Sequence, residues 1–181
     1  MTERETDDPT RSLRAIAHPV RLQMLSLLTG AELSAAEVAR ELGLTHANAS
    51  YHLRHLAEAG LVEVAGEERI RGGVAKRYRH HWDQHTRRRG RTSDEDRELY
   101  ARALAEELVR RVRDAVPDHP GHYTDAELWV TLEDYETALE ALGRASSVLH
   151  DGARPPRTEG TIRTGFTAAL FEMRSGAQES W

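Results

Sequence analysis

Residues 34–60 hold two short apolar periodicities, each opened by a hydroxyl residue and each closed by a glycine, and this punctuation limits the local fold more than anything else in the chain. Ser34-Ala35-Ala36-Glu37 has the form of a capping box, in which the hydroxyl serves an amide three residues on and the glutamate returns to the serine amide. Val38, Ala39 and Leu42 carry the apolar side of that helix to Gly43, which can take the left-handed conformation that ends it. Thr45 then opens a helix of about four turns that Gly60 closes. At about 100° per residue, Ala49, Leu53 and Leu56 fall on one narrow stripe. His52 lies at its border, where a packed and hydrogen-bonded imidazole is expected. Ala47, Asn48, Ser50, Tyr51, Arg54 and His55 point away, with no carboxylate before Glu58. A solvated face usually mixes Glu with Lys. A face of small and hydrogen-bonding residues suits a major groove, where phosphates repel carboxylates and base edges offer donors and acceptors.

The flanks extend this helix-turn-helix unit. Residues 1–10 are polar, acidic and aperiodic, and read as a disordered arm. Leu13, Ile16 and Ala17 begin a helical pattern that His18-Pro19 interrupts; a second helix over 20–29 is broadly apolar. After Gly60 the period becomes strand-like at 61–64, and a second strand is expected over 74–81, with Gly72-Gly73 as a hairpin signal. Lys76, Tyr78 and His80 share one face of that strand and Arg77, Arg79 and His81 the other, a basic ribbon able to track a phosphate backbone. Arg69, Arg71, Lys76 and Arg77 are the expected contacts of this wing.

The stretches HPVRLQMLSLL, SAAEVARELGLTHANASYHLRHLAEAGLVE and RGGVAKRYR resemble successive signatures of the ArsR-like winged helix-turn-helix transcriptional regulators, over about residues 12–82. The resemblance implies a cytoplasmic, homodimeric repressor that binds double-stranded DNA at a palindromic operator and responds to a small-molecule effector or a metal. Onto this sequence it carries a binding face of Thr45, Ala47, Asn48, Ser50, Tyr51, Arg54 and His55 together with the wing cations. Members that sense arsenicals or soft metals use cysteine, and this chain has none, which removes thiolate sites and disulfides alike. The reading from another class is a protein-interaction module that keeps the winged helix as a scaffold without sequence-specific DNA binding.

Charge supports a polyanion partner. Residues 11–92 carry 14 Lys/Arg against 8 Asp/Glu, whereas the rest carries 11 against 22. No apolar run spans a bilayer, and the first residues lack a signal-peptide pattern, so neither membrane insertion nor export is expected. The ten histidines are assigned no metal site, and no phosphate loop or nucleophile motif is present; no cofactor or catalytic residue is assigned.

The expected architecture is α+β and mainly helical: a winged helix-turn-helix domain over 11–83, a basic linker over 84–92, a smaller α/β domain for dimerisation and effector binding over 93–175, and a tail over 176–181. Ser93 should cap a helix over 94–116, in which Tyr100, Leu104, Leu108 and Val112 recur at intervals of four and face a second subunit or an intrachain core. A strand at 127–130, an amphipathic helix to about residue 150 and a strand over 161–173 complete a β-α-β arrangement. Tyr100, Trp129, Tyr135 and Phe166 are the candidate lining of an effector pocket.

Overall fold

The computed structural model describes residues 9–70, 73–83 and 93–174. The linker at 84–92, the tail, and the hairpin tip with Arg71 lie outside the described residues. In order, the chain forms α1 (Pro9–Ile16), α2 (Pro19–Thr29), β1 (Leu33–Ser34), α3 (Ala35–Leu42), α4 (His46–Glu58), β2 (Glu63–Ile70), β3 (Gly73–Arg79), α5 (Asp94–Arg113) and α6 (Leu132–Asp151). The first helix thus opens inside the stretch read as an arm.

Local chemistry sets the helix ends. The Glu37 amide donates to Ser34 Oγ (3.3 Å) and the Ser34 amide to Glu37 Oε2 (2.8 Å), closing the capping box of α3. Thr45, Ser93 and Thr131 each accept from the amide three residues on, starting α4, α5 and α6. Gly43 and Gly60 take φ values of 66° and 69°, the left-handed conformation that turns α3 into α4 and α4 into the sheet. Met24, Leu28, Val38, Ala49, Leu53 and Leu56 are fully buried in the core beneath α2, α3 and α4, which Leu61 and Val62 close from the start of the wing.

The sheet has the order β1-β3-β2, all antiparallel. Two residues of β1 pair with Tyr78 and Arg77, a third strand that a two-residue segment does not announce. A bulge between Val64 and Gly66 lets β2 run on to Ile70, well past the four residues expected of it.

α5 docks on α1 and α2 through a partly polar face. Arg14 Nε donates to Asp96 Oδ1 (2.5 Å), Gln23 Nε2 donates to Glu107 Oε1 (2.5 Å), and Arg110 Nη2 donates to Glu107 Oε2 (2.9 Å). Both carboxylates are buried. The hydrogen bond from Arg14, with that of Ser93, keeps the Asp96 carboxyl below its ordinary range. Tyr100, Ala103 and Leu104 turn to this side, whereas Leu108 and Val112 are exposed on the other. Each interval of four advances about 40° around a helix, so a row of four such residues spans two faces.

The β-α-β arrangement does not form within the chain: α6 is present, but residues 127–130 and 161–173 have no regular secondary structure and pair with no strand. Alternation of apolar residues records that a face is to be covered; pairing needs a neighbouring edge, and the chain brings none beside these segments. Residues 161–174 run along α5 instead. Arg163 meets Asp114 (3.1 Å), Arg111 Nη1 donates to Phe166 O (2.8 Å) and Thr167 Oγ1 (3.1 Å), and Arg174 meets Asp94 (2.5 Å).

The loop after α6 returns to the winged helix. Trp82 stacks on His150 at 4.8 Å and donates to Asp151 Oδ1 (3.1 Å), and Arg157, at φ 65°, grips Glu41 of α3 with two hydrogen bonds of 3.0 and 2.9 Å. A Cβ on Gly30 would lie 2.6 Å from the Arg154 carbonyl oxygen, a backbone atom that cannot swing aside. Since Gly30 has an ordinary φ of −96°, Gly30→Ala is expected to act through this contact alone, displacing the loop at a cost of about 1–3 kcal/mol in a thermal or urea melt. An unchanged melt would mean that the loop is not seated on Gly30.

Candidate nucleic-acid interface

α4 is seated by its buried stripe of Ala49, Leu53 and Leu56, with His52 beside them. This fixes what faces outward. Thr45, Ala47, Asn48, Tyr51 and Arg54 are exposed, and Ser50 and His55 are half-buried at the edge. Tyr51 stands edge-on to His55 at 4.5 Å, and His55 Nδ1 lies 3.7 Å from Glu58, so the acidic end of the helix is drawn toward an imidazole. Arg54 has no ion-pair partner among the described residues, which leaves its guanidinium available to an outside anion.

The wing divides into two parts. Arg69 on β2 and Lys76 on β3 are exposed and have no ion-pair partner among the described residues. Arg77 is differently placed. Its guanidinium donates to Glu68 Oε2 (2.8 Å), Glu37 Oε2 (3.3 Å) and the Glu32 carbonyl, clamping β3 onto α3 and β1. We therefore assign Arg77 to the scaffold of the wing and not to its outer surface. Nothing in the sequence near Arg77 distinguishes it from Lys76, because its three partners come from remote segments.

Behind α4 lies a cluster that sequence reasoning reached only in part. His52 is buried as expected, yet its Nδ1 has no hydrogen-bond partner, and neither does Arg21 Nε. His18, the N-cap of α2, accepts from the Val20 amide (3.2 Å) and packs 4.8 Å from the His52 ring. The His18-Pro19 break was the available signal. Burial, more than the neighbouring charges, holds both imidazoles below their ordinary range. Arg21 adds to the effect at both, His55 adds to it at His52, and Glu106 opposes it at His18. The folded state thus prefers them neutral. The stability they contribute is complete above the unfolded value of about 6.5 and is lost as the pH falls below it. The thermal midpoint is expected to drop between about pH 7.5 and pH 5.5, and His52→Leu should shrink that drop. A midpoint equally pH-dependent in both proteins would clear His52 of the effect.

The effector candidates are dispersed. Tyr100 is half-buried and Phe166 partly covered, both near Arg111, while Tyr135 is on α6 and Trp129 is exposed. A depression lined by Ala105, Glu106, Val109, Arg110 and Arg113 lies open on α5 and touches none of the four. Among the described residues no three His, Asp or Glu side chains gather as for a metal ion, and no helix is long and apolar enough to cross a membrane.

Helices α2, α3 and α4 closed by an antiparallel ribbon, with α4 presenting a face poor in carboxylates, define a winged helix-turn-helix domain. Residues 16–65 match the family model described as a helix-turn-helix domain. An uncharacterized HTH-type transcriptional regulator of Bacillus subtilis (strain 168), YceK, is 33% identical over 75 residues, which are 39% of this chain and 75% of that protein. The chain belongs to this family of helix-turn-helix transcriptional regulators. It is also similar to two solved structures of a 1–100 fragment from Mycobacterium bovis. One, a possible transcriptional regulatory protein, is 28% identical, with 58% of this chain and 89% of that one covered at a TM-score of 0.34. The other is described as the homodimeric winged helix-turn-helix DNA-binding domain of a possible ArsR-family regulator; it is 27% identical, with 68% and 97% covered at a TM-score of 0.36.

Proposed function

We propose that the protein is a sequence-specific, homodimeric transcriptional repressor. In this reading the two copies of α4 enter successive major grooves about 34 Å apart, on an imperfectly palindromic operator. The observation that carries it is the outer face of α4: Asn48, Tyr51 and an unpaired Arg54 are exposed on a helix without a carboxylate in its first turn. Asn48, Ser50, Tyr51 and Arg54 take the base edges and adjoining phosphates, helped by Thr45, Ala47 and His55 at the rim. Arg69, Arg71 and Lys76 add affinity along the backbone. The outward stripe of α5, Ala101, Ala105, Leu108 and Val112, supports a two-fold contact between copies, since small and apolar residues at this spacing let two helices approach. A small effector would act on that dimer, near Tyr100 and Phe166, and relieve repression.

Electrophoretic shift with DNA from upstream of the protein's own reading frame tests the reading. A shift selective for one sequence and weakened at least about tenfold between 50 and 200 mM salt is expected. No selective shift at micromolar protein would overturn it in favour of an interaction module built on a winged-helix scaffold.

A further inference from the structure

Beyond residue 116 the chain carries the makings of a layered domain but not the contacts of one. α6 is amphipathic through Tyr135, Leu139, Leu142 and Leu149, yet no residue of its 20 is buried. Most of a helix's stability in a protein comes from packing its apolar face, and here only the C-terminal end, where Trp82 meets His150, is held. The segments on either side of it are exposed too. Trp129 is 92% exposed, Ile162 78% and Phe171 66%. Among the described residues, no backbone hydrogen bond joins any amide or carbonyl of 121–130 or 162–173 to other backbone. Apolar alternation on backbone that no neighbour pairs is what a strand awaiting a partner requires.

The exposed area says how large that partner is. The chain exposes 14430 Å², whereas a compact monomer of 20.4 kDa exposes about 8,800 Å². Even if the undescribed residues are counted as fully exposed, an excess of roughly 2,000 Å² per copy falls on the rest. Doubled, this is the scale of an obligate homodimer, about 2,000–5,000 Å² in all, and far above a small-ligand site. The same uncovered surface continues on α5, whose outer stripe extends to an exposed Val116.

We infer that residues 117–174 are completed by a second copy of this chain: segments 127–130 and 162–173 pair through their backbones with those of the second copy, and α6 covers the sheet so formed. The inference rests on the homodimer proposed above and specifies where that dimer is built. A two-fold partner supplies the missing edges and the missing helix together, because it brings the same elements in inverted order.

Amide hydrogen exchange of the full chain, followed by mass spectrometry across a dilution series with light scattering on the same samples, tests it. Slow exchange at 127–130 and 162–173 in the dimer, lost on dilution to monomer, is the expected result. Trp129→Asp should raise the dimer dissociation constant at least about tenfold. A dimer with fast exchange in both segments, and indifferent to Trp129→Asp, overturns the shared sheet and leaves a dimer held by α5. Protection in a monomer at every concentration, or protection gained only when an effector or another protein is added, overturns it as well. A monomer that binds a single half-site with full affinity removes the homodimer reading along with the inference.

Discussion

Arg54→Ala is expected to weaken binding to the preferred operator by about ten- to a hundred-fold while changing binding to unrelated DNA only slightly, the cost of one bidentate base contact. The guanidinium is exposed on α4 and engaged by no carboxylate, so its removal should leave thermal stability within about 0.5 kcal/mol. The control lies in the wing. Lys76→Ala or Arg69→Ala should lower affinity for all sequences alike and reduce the slope of log K against log salt by about one. A footprint unchanged by Arg54→Ala would remove α4 from the groove. Equal losses on specific and unrelated DNA would move Arg54 to the phosphates and leave the reading of bases to Asn48 and Tyr51.

The parts of this structure visible in the sequence are those whose causes are local. Ser34, Thr45, Ser93 and Thr131 cap their helices because a hydroxyl and an amide three residues on are neighbours in any helical start, whatever the rest of the chain does. The stripe Ala49-Leu53-Leu56 likewise needed only a period. What stayed hidden depends on distant partners. The pairing of β1 with β3, the clamp of Arg77 on Glu37, and the hold of Arg14 on Asp96 each join segments more than thirty residues apart, and no spacing rule encodes them. The candidate interface was legible at α4 for the same reason as its cap. At the wing only the charge was legible, not which cations were already engaged. In the second half, periodicity marked apolar faces on α5 and α6 and led to the expectation that they would be covered. It could not say that the cover is missing within one chain, which is why an expected β-α-β unit became a helix between two unpaired segments.

Leu53→Ala and Leu139→Ala apply the same chemistry to two amphipathic helices and should give opposite results. Leu53 is fully buried among Leu28, Val38 and Leu56, so truncation leaves a cavity in a packed core and is expected to cost about 2–5 kcal/mol. For a domain of this size a loss near the upper end would unfold much of the winged helix at 37 °C and abolish DNA binding with it. Leu139 is 43% exposed on α6. In dilute protein its truncation should cost under about 1 kcal/mol, since little packing is removed. Urea melts at low protein concentration measure both. If Leu139→Ala proved as damaging as Leu53→Ala there, α6 would already be packed within a single copy. If Leu53→Ala proved mild, the stripe of α4 would not be the seat that aims Asn48, Tyr51 and Arg54 outward, and the geometry of the proposed interface would fall with it.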